Sequence, residues 1–252
     1  MDGPVIVFIS GVGKGIGRGL AEAYLQRPNH VVVGSIRDES APGIADLKAA
    51  KTGPESKLVL VHIESTAFGD AAKAVDVMLA AGIDHVDVVI ANAGGSSPVQ
   101  PFDTIDPETM MHDYQVNALA PLVLYQALKP LLQKSSRSPK WISVTSAVGS
   151  VGAMPHAKSW ALPSYGASKA ALNWLTVAMH HQNEWLTAVA IHPGLVQTGP
   201  GNWVAQRLIK KEKAPITIEL CVERMTDIID KATRQETSGK FLRAIEGAEM
   251  PW

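Results

Sequence analysis

Along this chain, short continuous apolar runs alternate with longer stretches in which apolar residues recur every three or four positions. A short apolar run bounded by polar or turn residues suits a strand buried on both faces, and the longer spacing suits a helix with one buried stripe. The pattern predicts strands over Val5 to Ile9, His30 to Ile36, Lys57 to Ile63, Val86 to Ala91, Lys140 to Thr145, Leu186 to Ile191 and Lys240 to Ala244. Between them it predicts helices over Gly17 to Gln26, Phe68 to Ala81, Pro107 to Gln133, Tyr165 to His181 and Thr217 to Thr233. In the last, Ile218, Cys221, Val222, Met225, Ile228, Ile229 and Ala232 share one face. This is the alternation of repeated βαβ units, so the fold class is α/β, a single doubly wound domain over 1–252 with a mostly parallel seven-stranded sheet. The segments richest in Gly, Pro and Ser are Gly94 to Pro101, Gly149 to Pro163 and Pro193 to Pro200. All three follow predicted strands and so are expected at the carboxyl edge of the sheet, where open α/β folds bind ligands.

Bulk properties narrow the partners. The 46% hydrophobic content supplies enough Val, Ile, Leu and Ala to bury a large parallel sheet. A formal net charge of -1 gives no basic surface for phosphates, which argues against nucleic acid and for a small molecule. The lone Cys221 has no partner for an internal disulfide, and the apolar run Val5 to Ile9 is too short for a signal peptide or membrane span. A cytoplasmic location without membrane contact is the expectation. No metal is expected either: His180 and His181 are adjacent rather than on one helical face, and no H-E-x-x-H is present.

The first predicted strand runs into Ser10-Gly11-Val12-Gly13-Lys14-Gly15-Ile16-Gly17 and then into a helix. Glycines are needed where the backbone turns tightly and approaches a pyrophosphate, while the next helix directs free N–H groups and its positive end at the anion. The domain therefore reads as Rossmann-type, with its nucleotide-binding half at about 1–95 and its catalytic and substrate half at about 96–252. The second strand ends in Arg37, where a site for NAD usually carries an acid on the ribose hydroxyls. Arg37 and Lys14 suit the 2′-phosphate of NADP(H), although Asp38 stands next in sequence to pair with Arg37 or face a ribose. Further on, Tyr165 and Lys169 lie at i and i+4 on one helical face, so the ammonium is placed to favour phenolate and tune a proton shuttle.

With Asn92-Ala93-Gly94, Asn117, Ser146, Tyr165-x-x-x-Lys169, Pro193-Gly194 and Thr198 in this order, the sequence resembles the short-chain dehydrogenase/reductase family along its whole length. The resemblance implies Tyr165 as general acid for carbonyl reduction, Ser146 as polariser of the carbonyl, Lys169 as tuner of the tyrosine and holder of the nicotinamide ribose, and Asn117 as support for a relay water. It also implies cofactor contacts from Gly11, Lys14, Gly15, Ile16, Gly17, Arg37, Asn92, Ala93 and Gly94, and from Pro193, Gly194, Val196 and Thr198. Glu64 stands where an Asp to the adenine is usual. The stretch Gly149 to Pro163 looks like an enlarged loop, and Met154, Trp160 and Leu162 on it, with Ser96 and Trp203, are expected to line the substrate pocket.

These features, with Ile36-Arg37-Asp38 and Pro251-Trp252, are similar to the fungal norsolorinic acid ketoreductases. That likeness implies an NADPH-dependent reductase of a bulky, largely apolar carbonyl compound of secondary metabolism, with Trp203, Val204 and Leu208 in a mobile lid. It also implies a homodimer or homotetramer paired through the helices Pro107 to Gln133 and Tyr165 to His181. Two other readings stand beside it: a non-redox cyclase, isomerase or NADP(H)-sensing regulator on the same scaffold, and a Rossmann-like methyltransferase. The last has no use for the Tyr165/Lys169 pair.

Overall fold

The computed structural model describes residues 3–157 and 159–252. Its strands are β1 (Val5–Ser10), β2 (His30–Ile36), β3 (Lys57–His62), β4 (Val88–Ala91), β5 (Lys140–Val144), β6 (Thr187–His192) and β7 (Phe241–Arg243). They form one sheet in the order β3-β2-β1-β4-β5-β6-β7, and each neighbouring pair is parallel. The chain reverses its direction of build between β1 and β4, which opens a crevice at their carboxyl ends.

The helices are α1 (Gly15–Leu25), α2 (Pro42–Lys48), α3 (Asp70–Ala80), α4 (Pro107–Tyr114), α5 (Ala120–Leu132), α6 (Met154–Ala157), α7 (Pro163–Gln182), α8 (Gly199–Arg207) and α9 (Ile218–Lys231). Alternate strand side chains feed two cores. On one face Val7, Ile9, Val32, Ile90, Ile142 and Val189 pack with α1, α2 and α9 through Leu20, Leu47, Cys221 and Met225. On the other, Ile6, Phe8, Val33, Val89 and Trp141 pack with α3, α5 and α7 through Met78, Leu128 and Met179. Both faces being covered explains why the strands read as continuous apolar runs rather than alternating ones.

Four departures from the sequence pattern have physical reasons. The predicted helix Pro107 to Gln133 is interrupted by a π-turn at Gln115–Leu119, just before Pro121, whose missing N–H breaks the regular ladder. The stretch from Gly149 to Pro163 is folded rather than a plain loop, carrying α6 and a 3₁₀ turn at Ser159–Ala161. α2 and α8 lie outside the predicted helices; they begin with Pro42-Gly43 and Gly199-Pro200-Gly201, and proline is favourable in a first helical turn. β4 starts at Val88 because Asp87 is buried and its carboxylate accepts from Ile6 N and Ser135 Oγ. No helix among the described residues is long and apolar enough to cross a membrane.

Candidate active site

The carboxyl end of β1 is locked to the end of β4. Ser10 Oγ accepts from the backbone N–H groups of Asn92 (3.0 Å) and Ala93 (2.9 Å), and Asn92 Nδ2 donates to the carbonyls of Ser10 (2.9 Å) and Gly11 (3.3 Å). The lock leaves no room for a side chain at Gly17: a Cβ there would stand 2.3 Å from both Asn92 Nδ2 and Gly11 O. Gly11 and Gly15 hold φ of 75° and 60°, the left-handed region that favours glycine. α1 then begins with no side-chain cap and no acidic residue in its first turn, so its N–H groups and positive end point into the crevice. A Cβ on Gly15 would touch Thr198 Cγ2 at 3.3 Å, which sets Thr198 against this turn; Pro193, Gly194 and Val196 precede it on the same segment after β6 and lie near Cys221 and Ile216. Ile16 packs on the core behind it. A bare cradle of this kind fits the pyrophosphate of a dinucleotide.

Beyond β2, Arg37 stands two-thirds exposed and reaches Glu64 Oε2 only at 3.8 Å. Asp38 turns away toward Ser40, whose backbone N–H and Oγ donate to Oδ1 at 2.8 and 2.6 Å. The Arg37 guanidinium is therefore open toward solvent beside the crevice. Glu64 lies after β3 as the sequence places it, its Oε1 accepting weakly from Thr66 and its backbone N–H donating to Asp70.

The second half of the site hangs on α7. Lys169 is buried, its Nζ donating to the Val144 carbonyl (3.0 Å) and lying 5.8 Å from the centre of the Tyr165 ring. Asn117, fully buried in the π-turn, accepts from Gly95 N (3.0 Å) and donates through Nδ2 to Gly95 O (2.7 Å) and Ser168 Oγ (3.0 Å). Pro121 removes the N–H that a regular helix would aim at the Asn117 carbonyl. Gly94 joins the two halves, since a Cβ there would fall 2.8 Å from Asn117 Oδ1 and 3.3 Å from Lys169 Nζ. Ser146, at the end of the β5 segment, caps the next turn by accepting from Val148 N. Its hydroxyl pulls the Tyr165 pKa downward, against the larger effects that raise it.

One electrostatic expectation is corrected. Burial pushes the Tyr165 hydroxyl up to about 12 against the pull of Ser146, and Asp113 adds to the rise. Burial also pulls Lys169 down to about 8. With its nitrogen anchored on Val144, the ammonium does not outweigh desolvation of the phenolate.

Of the residues expected at the substrate pocket, Trp160 and Trp203 are exposed, Met154 and Leu162 are partly buried, and Ser96 is exposed with its hydroxyl on Ser97 O. They lie on the three segments that follow β4, β5 and β6. Phe102, 72% exposed, and Met111, also exposed, lie on the segment that follows β4 and were not among the residues expected from the sequence; an apolar residue in a polar, proline-rich segment was the available signal. A separate depression of about 680 Å³ lies at the amino edge of the sheet, among Tyr24, Arg27, Lys140 and Asp230. Several of its polar groups are already paired: Arg27 with Asp230, and Lys140 with the Ile229 and Asp230 carbonyls. The cradle and the Tyr165/Lys169 pair lie at the other edge.

The model of the short chain dehydrogenase family matches residues 5–236. The chain belongs to this family. A family member of this kind is an oxidoreductase, and the chain falls with the fungal norsolorinic acid ketoreductase-like branch. It is 52% identical to the short-chain dehydrogenase srdF of Neurospora crassa over 98% of this chain and 97% of that one. It is 35% identical to the norsolorinic acid ketoreductase of Aspergillus parasiticus over 100% of this chain and 93% of that one. Among solved structures, the NADPH-bound carbonyl reductase from chicken fatty liver superimposes with a TM-score of 0.84 at 28% identity, covering 100% of this chain and 96% of the other.

Proposed function

We propose that this oxidoreductase reduces the carbonyl group, or a related C=N bond, of a bulky and largely apolar small molecule with NADPH. The observation that carries the reading is the junction at Gly94, where Asn117 and Lys169 meet the loop that Asn92 locks onto the glycine turn. With its phosphates held at the start of α1, a dinucleotide would have its nicotinamide end held by the Asn92–Gly94 loop and Lys169. When bound, the nicotinamide supplies the hydride.

The residues of the chain divide the remaining work. Ser146 and Tyr165 hold the substrate oxygen, and Tyr165 carries the proton delivered to it. A hydroxyl pushed up to about 12 keeps its proton at neutral pH, as a general acid must. Lys169 holds the nicotinamide ribose and replaces the proton through a water held by Asn117, whose carbonyl lacks the i+4 donor that Pro121 cannot supply. Arg37, with Lys14, supports the choice of NADPH by facing the ribose 2′-phosphate, and Glu64 and the Asn92–Gly94 loop border the adenosine half. The exposed apolar side chains of Phe102, Met111, Trp160 and Trp203 support a large apolar substrate, as the names of the ketoreductase relatives do. Trp174, 70% exposed on α7, supports pairing of copies into a homodimer or homotetramer.

The test is consumption of NADPH, with NADH in parallel, on a panel of aryl ketones, quinones and imines. NADPH oxidation is expected on at least one aromatic ketone, with NADH clearly poorer. Tyr165→Phe should lower turnover about 10²- to 10⁴-fold while NADPH still binds. Product formed without NADPH consumption would instead support the non-redox cyclase or isomerase reading.

A further inference from the structure

Asp113 is a buried carboxylate, 1% exposed, on the same helical face as Asn117 one turn later. Its Oδ1 accepts from Ser97 N (2.9 Å) and Ser97 Oγ (2.7 Å), and its Oδ2 accepts from Ser164 Oγ (2.6 Å). Asn117 makes the matching set one turn on, holding Gly95 on one side and Ser168 on the other. Ser164 and Ser168 are again one turn apart, on α7, and Tyr165 follows Ser164 directly. Two rungs therefore run from the loop after β4, through α4 and its π-turn, to the opening turn of α7.

We propose that Asp113 is a positioning residue for Tyr165: it forms the second rung of this clamp and fixes the first turn of α7 relative to the loop after β4. The proposal rests on Tyr165 being the proton donor. An anion at the amino end of α7 is favoured by the helix dipole, which helps a carboxylate remain buried there. The only basic group within ion-pair distance among the described residues is His112, Nδ1 to Oδ1 at 3.6 Å, and it is largely exposed. The charged groups facing the tyrosine are thus Lys169 from its own helix and Asp113, with His112 behind it, from α4; Ser146 faces it as a neutral hydroxyl. Of these, Asp113 raises the energy of the phenolate and so holds the proton on Tyr165.

Asp113→Asn separates the clamp from its charge. The amide oxygen still accepts from Ser97 and the amide nitrogen donates to Ser164 Oγ, so both rungs survive without the anion. The expected result is turnover within about threefold of the parent at low pH, with the alkaline limb of ketone reduction moved to lower pH by about half a unit or more. Asp113→Ala cuts the rung, and a kcat loss of about tenfold or more is expected, with KM for NADPH changed less than about threefold. A pH profile of Asp113→Asn that superimposes on the parent overturns the proposal, as does a folded Asp113→Ala with parental kcat. If Asp113→Ala does not fold, the Asn profile alone decides. Tyr165→Phe is measured alongside: undiminished turnover there removes the proton-donor reading, whereas an inactive Tyr165→Phe with an unmoved Asp113→Asn profile removes only the role of Asp113.

Discussion

Gly17→Ala tests the cradle most directly, because it adds one methyl group at the junction of the glycine turn and the β4 loop. The new Cβ would stand 2.3 Å from Gly11 O and from Asn92 Nδ2, where real Cβ contacts stay beyond 3.0 Å. One obstacle is backbone and the other is an amide held by two hydrogen bonds, so neither yields by rotating a free side chain. The turn must open by about 0.7 Å, an overpacking of the kind that costs about 1–3 kcal/mol, with about 1 kcal/mol more for each Asn92 bond that is lost. A total of about 2–4 kcal/mol corresponds to a fall in Tm of roughly 5–12 °C for a chain of this size. Because the displaced atoms frame the pyrophosphate cradle, the Kd for NADPH, read by fluorescence titration, should rise at least about tenfold. Gly69→Ala is the control: Gly69 has φ of -71° and nothing within 4 Å of the added Cβ, so stability should stay within about 0.5 kcal/mol of the parent. NADPH binding by Gly17→Ala within twofold of the parent would refute the assignment of this turn to the cofactor.

Two further outcomes follow from groups near the same edge. Burial and Arg243 hold His192 down to about 4, and its Nδ1 has no partner among the described residues, so the folded chain keeps the ring neutral. The unfolded ring protonates near its ordinary value of 6.5, so stability falls as pH drops from about 6.5 toward 4, by up to about 3 kcal/mol. Urea midpoints measured across that window should decline more steeply for the parent than for His192→Gln; parallel curves would remove the assignment. Trp252 stacks on Phe241 with ring centres 5.4 Å apart, its carbonyl accepts from Gly152 N at 2.7 Å, and the Pro251 carbonyl accepts from Ser150 Oγ at 2.6 Å. These contacts brace the turn that follows Ser146, so Trp252→Ala should destabilise by about 2 kcal/mol and lower kcat more than it raises KM for NADPH, as calorimetry and steady-state kinetics would show.

The sheet was legible because a strand covered on both faces must be apolar at every position, and chain order then dictates the parallel topology. What broke the pattern was local. Asp87 is polar but buried, and it serves Ile6 N rather than solvent, which shortens β4. Pro121 lies inside an otherwise periodic helix, and its cost is met by a π-turn that no periodicity encodes. Proline and glycine at the starts of α2 and α8 carry the same letters as a turn, and only the Thr198 hydroxyl, accepting from Gly201 N, marks α8 as capped. In the site, the Tyr165/Lys169 pair was legible because both groups lie on one helix with fixed spacing. Ser97, Ser164 and Ser168 were not, since their partners come from other elements; the pairs Asp113/Asn117 and Ser164/Ser168, each one turn apart, were the trace they left.

The i, i+4 spacing by itself does not fix the direction in which the tyrosine shifts. Proximity of an ammonium favours phenolate only when the charge is felt more strongly than the loss of water, and here desolvation moves both groups toward neutrality, Tyr165 up to about 12 and Lys169 down to about 8. For a donor in carbonyl reduction this is the useful direction. Near pH 7 the tyrosine holds its proton, and Lys169 remains mostly charged and able to resupply it. Oxidation of an alcohol needs the phenolate instead, and the carboxylate of Asp113 opposes it. That balance favours donating a proton over abstracting one near neutral pH, and the rate of the reverse reaction should climb with pH as Tyr165 loses its proton, where the forward rate declines.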